Sequence, residues 1–371
     1  MTVSLGRVFG VRLFVEPSWL IILGLVAVSL GTAYFPREFP RWSAAQSWAV
    51  AVAAALLFSL SLLLHELAHA LVAQRLGVPV QRITLFLFGG AAHISHDAPS
   101  PAAELLIAGA GPAASLALGA LLGAVALLGD GTDWLGGLAL WLAAINVTLG
   151  LFNLLPGFPL DGGRALRAAL WEVGGDLAWG TRIATSAGEA VGIVLLLTAV
   201  FMALLARGAA LSAAWLGLVG WFLLGAARAS YRAFRVTAAL GQLRVRDLMR
   251  PPPAGVPASL TLTAFGENHL FQSGPSLFAV TEGEEMVGLA GLPEVRRVPV
   301  ARWQTTSVGE VMERIEAQRS VPVEASADLA LRLMAELGAE RLPVLDAGRL
   351  VGLVHQSDLL RAAERRARSE G

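Results

Sequence analysis

Six apolar segments, each close to the length that crosses a bilayer, constrain this chain more than any other feature of its sequence. They fall at roughly 18–35, 47–75, 102–129, 134–157, 187–206 and 209–227. About 20 apolar residues in a helix span the hydrocarbon core of a membrane. Only 15% of the residues are charged, against about 25% in an average soluble domain. The sequence therefore predicts a polytopic α-helical domain in a lipid bilayer, covering residues 1–236.

The charges between these segments predict an orientation and exclude some partners. An even number of spans places both termini on one side, and arginine is enriched on the cytoplasmic side of membrane proteins. Basic and acidic residues balance at 28 each, so no nucleic-acid partner is indicated, and the absence of Cys excludes thiolate metal sites. We expect cytoplasmic termini in the inner (cytoplasmic) membrane, because ten arginines then lie inside (7, 12, 75, 82, 164, 167, 182, 228, 232 and 235) and three outside (37, 41 and 207).

The composition changes after about residue 236, and the remaining segment repeats itself. VRDLM at 245–249 recurs as VGEVM at 308–312, and MVGLAGLPE at 286–294 recurs as LVGLVHQSD at 350–358. Each copy alternates helical and strand patterns in the order βαββα. Residues 237–371 are therefore predicted to form a soluble α/β domain of two repeats, at about 244–300 and 305–364.

A metal-binding pattern, HELAH, lies inside the second apolar segment. His65 and His69 are four residues apart and share one face of a helix, so their ring nitrogens can bind one Zn²⁺. Glu66 would lie beside the metal, as the general base for water. Two unrelated histidines on a helix surface are the alternative. However, ionisable groups at membrane depth need partners, which favours zinc.

Asp161 is the candidate for the third zinc ligand. It follows Pro156, Gly157 and Pro159, which interrupt the fourth apolar segment, and irregular backbone at membrane depth lines protein or a water-filled cavity. Its alternative role is the N-cap of the helix that follows, a position where Asp is favoured. With HELAH in another span, the zinc interpretation is favoured because the three ligands of a catalytic site are then complete.

HELAHA and NLLPGFPLDGGR together resemble the site-2 protease family (peptidase family M50), in its compact six-span branch with a C-terminal CBS pair. The resemblance implies zinc binding by His65, His69 and Asp161, catalysis by Glu66, and a substrate- or oxyanion-positioning role for Asn153. A hydrogen bond between helices is the alternative for Asn153. Residues 80–96 resemble a membrane-associated hairpin that pairs with the unwound substrate. AGAGPAAS, residues 108–115, matches a third-span motif in which Ser115 replaces Asn; we interpret it as close helix packing.

The repeats resemble a pair of CBS modules, which implies ATP or AMP as a regulatory ligand. Asp358 stands where such modules hold the ribose hydroxyls, but His355 replaces the usual Thr or Ser. The first copy has Gly291 and Glu294 at the two positions. A structural or dimerising role, giving a homodimer through the CBS pair, is the alternative, and Asp358 would then cap the final helix.

The combined prediction is an intramembrane zinc endopeptidase that cleaves membrane-anchored regulatory proteins and is modulated through its CBS pair. The resemblance implies a single-span substrate such as an anti-sigma or pro-sigma factor. Two rival functions remain: a CBS-regulated metal-ion transporter, since intramembrane His and Asp also mark ion pathways, and a catalytically silent membrane scaffold.

Overall fold

The chain divides into two compact units, Met1–Tyr231 and Arg232–Gly371. The computed structural model describes residues 2–86, 89–94, 98–128, 133–205, 210–271, 277–283 and 285–369. The first unit ends a few residues before the predicted boundary at 236/237, and each unit has its own hydrophobic clusters.

Six helices among the described residues are long and apolar enough to cross a membrane. They confirm the prediction of a polytopic helical membrane domain. These helices, with the shorter α5 between the fourth and the fifth, are α1 Ser18–Glu38, α2 Ala44–Arg75, α3 Pro101–Leu128, α4 Trp134–Asn153, α5 Asp161–Gly174, α6 Leu177–Leu205 and α7 Ala210–Gln242.

Two of these helices, α6 and α7, extend well beyond the apolar segments that predict them. The helix α6 begins at Leu177 rather than near 187, because its first turns pack on α5: a Cβ at Gly180 would lie 3.0 Å from the carbonyl oxygen of Arg167. The helix α7 continues to Gln242, and its buried Ala239 and Leu240 join the core of the second unit. Tertiary packing, not membrane length, therefore sets these ends.

A four-stranded sheet accompanies the membrane helices, with strand order β1-β2-β3-β4. The predicted hairpin at 80–96 appears as β3 and β4; residues 87–88 and 95–97 lie outside the described part. An antiparallel hairpin before α1, which the sequence did not predict, adds β1 and β2, and β2 pairs in parallel with β3. The strands are β1 Val3–Val8, β2 Val11–Val15, β3 Val80–Phe86 and β4 Gly89–Ile94.

The segment between α4 and α5 is an irregular loop held close to α6. The backbone N–H of Phe158 donates to the carbonyl oxygen of Ala184 at 3.0 Å. A Cβ at Gly188 would overlap the carbonyl oxygen of Phe158, so only glycine permits this approach. The loop delivers the chain to Asp161, the first residue of α5.

The second unit is a CBS-type domain of mixed α/β fold, as its repeats predict. Its strands form two sheets, ordered β5-β6-β7-β8 and β11-β10-β9. In each copy, a first strand pairs in parallel with the next, which then forms an antiparallel hairpin. The elements are α8 Val245–Leu248, β5 Gly255–Pro257, α9 Leu262–Phe265, β6 Leu277–Glu282, β7 Glu285–Gly291, α10 Leu292–Arg296, α11 Val308–Val311, β8 Glu313–Arg314, β9 Val321–Pro322, α12 Ala327–Leu337, β10 Arg341–Asp346, β11 Arg349–His355 and α13 Gln356–Ser369.

Candidate metal centre

Three donor atoms from two helices converge inside the membrane unit. The Nε2 atoms of His65 and His69, one turn apart on α2, lie 3.2 Å from each other. Each lies 3.1 Å from Oδ2 of Asp161. The two histidines are only 3% and 4% exposed. Among the described residues, this is the group whose ligand atoms are arranged to hold a metal ion.

The helix α3 packs against the two imidazole rings and binds their outer nitrogens. The Nδ1 atom of His69 lies 2.7 Å from the carbonyl oxygen of Ile107, and Nδ1 of His65 lies 2.9 Å from Oγ of Ser115. Between these contacts, a Cβ at Gly111 would lie 2.6 Å from Nε2 of His65 and closer still to Nε2 of His69. Gly111 and Ser115 of AGAGPAAS thus do more than allow helices to pack: they contact the two candidate ligands.

The donor set fits a zinc ion. The carbonyl oxygen of Ile107 can only accept, so Nδ1 of His69 carries the hydrogen and, in the neutral ring, Nε2 presents a lone pair. That lone pair faces a carboxylate oxygen of Asp161. Without a proton or a cation between them, these atoms repel, whereas a cation would be held by all of them. Two imidazoles and a carboxylate form a donor set that zinc prefers in catalytic sites.

Glu66 lies beside the donors and under the sheet. It is half-buried on α2, and a Cβ at Gly90 of β4 would lie 2.8 Å from its Cδ and 2.9 Å from its Oε1. Gly90 pairs with Leu85 in the β3–β4 hairpin. The hairpin therefore touches the carboxyl group that the sequence assigns to catalysis, and a larger residue at 90 would displace it.

A buried ion pair connects α3 to the helix that carries Asp161. The Arg167 guanidinium donates through Nε to Oε1 of Glu104 at 2.9 Å and also through Nη2. Glu104 is 1% exposed and Arg167 9%, and the guanidinium lies 5.3 Å from the centre of the Phe158 ring. Arg167 is one of the arginines that predict the orientation, and in the structure it also fixes α5 against α3. The sequence signal for this ion pair was Glu104, a single carboxylate near the start of the apolar segment 102–129.

Two further predicted site residues have other partners. Asn153 ends α4 half-buried, and its Nδ2 donates to the carbonyl oxygen of Leu149 at 3.0 Å, within its own helix. In the second unit, Asp358 accepts hydrogen bonds from Nε and Nη2 of Arg250, at 2.7 and 3.0 Å, and from Arg361 at 2.5 Å. The bonds from Arg250 and Arg361 lower the pKa of Asp358 to about 2, so its carboxylate is ionised at neutral pH.

Comparisons with known proteins match both units of the chain. The sequence model of peptidase family M50 matches residues 53–138 and 131–199, and that of the CBS domain matches residues 308–365. "Putative zinc metalloprotease Rip3" of Mycobacterium tuberculosis is 36% identical over 364 residues, which cover 97% of this chain and 92% of that protein.

Two further similar proteins align with this chain over most of their own length. "Putative zinc metalloprotease sll0528" of Synechocystis sp. is 31% identical over 373 residues, covering 98% of this chain and 95% of that protein. A solved structure, the site-2 protease from Methanocaldococcus jannaschii, aligns with a TM-score of 0.44 and 29% identity, over 62% of this chain and 95% of that one.

Proposed function

The chain belongs to peptidase family M50, as a zinc metalloprotease with a multi-pass membrane domain and a C-terminal CBS domain, and we propose how its residues cleave a membrane-spanning substrate. One observation carries the proposal: the donors of His65, His69 and Asp161 converge where the short helix α5 meets the membrane-length helix α2, with Glu66 beside them. A hydrolytic site there would meet another protein's membrane segment rather than a soluble peptide.

The zinc ligands would be Nε2 of His65, Nε2 of His69 and Oδ2 of Asp161. When bound, the metal supplies Lewis acidity that lowers the pKa of water towards about 7 and polarises a carbonyl. Three protein donors leave a fourth position open, as catalytic zinc sites require. The chain's part is to hold these atoms about 3.1–3.2 Å apart in a buried setting.

Glu66 would move the proton. Its carboxylate would accept a proton from the water whose oxygen attacks the carbonyl carbon, and would return it to the amine nitrogen as the C–N bond breaks. Asn153 remains the proposed contact for the substrate or its oxyanion. It would first have to release the carbonyl oxygen of Leu149.

The outer edge of β4 is the proposed docking site for the substrate backbone. A peptide bond in a helix has its carbonyl hydrogen-bonded, so the substrate must unwind before cleavage. The described sheet ends at β4, and an extended segment can pair with an exposed edge strand. Because Gly90 lies against Glu66, a segment paired there would be held next to the general base.

Replacing Gly90 by Ala should slow cleavage while leaving zinc bound. The added Cβ would push aside the carboxyl group of Glu66, because its three nearest neighbours would all be atoms of that side chain. We expect the rate of the cleavage step to drop on the order of 10- to 100-fold, since a 1 Å misplacement of a reacting group can cost that much. The measurement is single-turnover cleavage together with zinc content. Gly24→Ala, where a Cβ meets open space, is the control; equal rates in both variants would contradict this contact.

The proposed substrate is a single-span membrane regulator, such as an anti-sigma or pro-sigma factor, and the proposed location is the inner membrane with both termini and the CBS domain in the cytoplasm. The arginine asymmetry supports this orientation. Because the chain has no Cys, one cysteine introduced at a terminus would test this orientation. Labelling of that cysteine from outside intact cells would contradict it.

Co-expression with candidate single-span proteins tests the substrate class. A candidate that stays uncut when it is expressed with the wild-type protein is not a substrate.

The remaining part of the proposal is that the CBS domain modulates cleavage. It would do so by binding an adenine nucleotide at Asp358; the alternative is that the domain has a structural or dimerising role. The carboxylate of Asp358 already accepts three hydrogen bonds from Arg250 and Arg361. A ribose would therefore compete with Arg250 for the same oxygens.

This competition predicts opposite effects of two substitutions on nucleotide affinity. Arg250→Ala should strengthen binding of ATP or AMP to the full chain because it frees Asp358, whereas Asp358→Asn should weaken it. Each shift should be at least about tenfold, the size of a lost or gained charge-assisted hydrogen bond. Isothermal titration measures both. No binding by any form at millimolar nucleotide would favour the structural or dimerising role.

A further inference from the structure

The outer nitrogens of both zinc-facing histidines are bound by one helix, α3, through groups of different kinds. His69 contacts a backbone carbonyl, that of Ile107, and His65 contacts a side chain, that of Ser115. A metal-binding histidine usually donates its second ring N–H to such a partner, which fixes the tautomer and the ring orientation. The function proposed above does not include Ser115.

The contacts between the two histidines and α3 follow from the matching spacing of the residues along the two helices. His65 and His69 are four residues apart on α2, and Ile107, Gly111 and Ser115 are four residues apart on α3. Residues at this spacing lie above one another on one helix face. Each imidazole therefore meets a partner one turn from Gly111, in the gap that the missing Cβ leaves.

The two partners differ in what a substitution can remove. The carbonyl of Ile107 belongs to the backbone and is present whatever residue occupies 107. The hydroxyl of Ser115 belongs to a side chain, so a substitution can remove it. Ser115 is only 2% exposed, so solvent does not take the place of the lost hydroxyl. The orientation of His65 therefore depends on the identity of one residue, whereas that of His69 does not.

We propose that Ser115 is a positioning residue: its Oγ accepts the Nδ1 hydrogen of His65, which leaves the Nε2 lone pair directed at the metal. The inference rests on the metal site proposed above. Ser115 itself contacts neither metal nor substrate; it acts through His65.

Ser115→Ala tests this by zinc affinity rather than by activity alone. Removing the partner of a metal-binding histidine typically weakens metal binding by about 10- to 100-fold, and we expect a loss in that range. The detergent-solubilised full chain is titrated with zinc against a competing chelator. Cobalt(II) absorption gives a second readout, because a rotated imidazole changes the ligand field.

The matched control is Ser59→Ala, on α2 and six residues before His65. Its hydroxyl donates to the carbonyl oxygen of Ala55 in its own helix, at 3.0 Å. Unchanged zinc affinity and cobalt spectrum in this variant, with both altered in Ser115→Ala, support the proposal. Equal affinities in Ser115→Ala and the wild type, or equal losses in both variants, overturn it. A wild type that binds no zinc would instead refute the metal site itself.

Discussion

Replacing Glu66 by Gln should abolish peptide cleavage and leave zinc bound. The substitution keeps the shape of the side chain under Gly90 but replaces the carboxylate that is proposed to accept a proton with a neutral amide. General acid–base catalysis contributes about 100- to 10,000-fold, and we expect a rate loss of at least that size. The three proposed metal donors are on His65, His69 and Asp161, so zinc stoichiometry should stay at the wild-type value. Cleavage rates and metal analysis of the purified variant measure both.

A carboxylate control separates this effect from a general change in charge. Glu172 on α5 is exposed, and Glu172→Gln should retain both cleavage and zinc. If Glu66→Gln cleaves at the wild-type rate with zinc bound, Glu66 is not the general base. If the same variant loses its zinc, we would conclude that Glu66 helps to hold the metal site rather than transferring the proton.

Replacing Gly111 by Ala should remove zinc from the protein. The new Cβ would lie 2.6 Å from Nε2 of His65 and even nearer to Nε2 of His69, in the space where the metal is expected. We expect zinc affinity to fall by more than about 100-fold, beyond the loss that follows from disturbing a histidine's outer partner. Cleavage should fall with it. Chelator competition and metal content provide the measurement.

Gly109→Ala on the same helix is the matched control, because a Cβ there meets open space. Alanine is favoured over glycine in a helix by about 0.8–1.0 kcal/mol, so neither substitution should weaken α3 itself. Gly111→Ala should therefore lose zinc without losing helix content by circular dichroism. Full zinc occupancy in Gly111→Ala would show that the gap beside the histidines is not needed for the metal.

The sequence predicted the elements whose signals are local. Apolar segments of membrane length predicted the six helices, and the spacing within HELAH predicted that His65 and His69 would face one partner. Asp161 could be inferred because the ligand count of a catalytic zinc site leaves one donor missing. The predicted CBS repeats carry their pattern in short strands and turns that each copy repeats.

The features that were missed depend on contacts between distant segments. Ser115 and Gly111 read as small residues suited to helix packing, and only the approach of α2 shows that they contact imidazoles. Arg167 was counted only as one of the cytoplasmic arginines, and the structure adds that it is buried against Glu104. The β1–β2 hairpin was missed because its strands are short and become part of a sheet only by pairing with β3, some 70 residues later.

The most direct test of the central claim is cleavage of a single-span protein reconstituted with this chain in lipid vesicles. Mass spectrometry of the products would locate the cut. The account predicts a cut inside the apolar segment of the substrate, which stops when zinc is removed by chelation and resumes when zinc is restored. Intact substrate in the presence of bound zinc, with zinc ions crossing the vesicle membrane, would contradict the account and favour a metal-ion transporter.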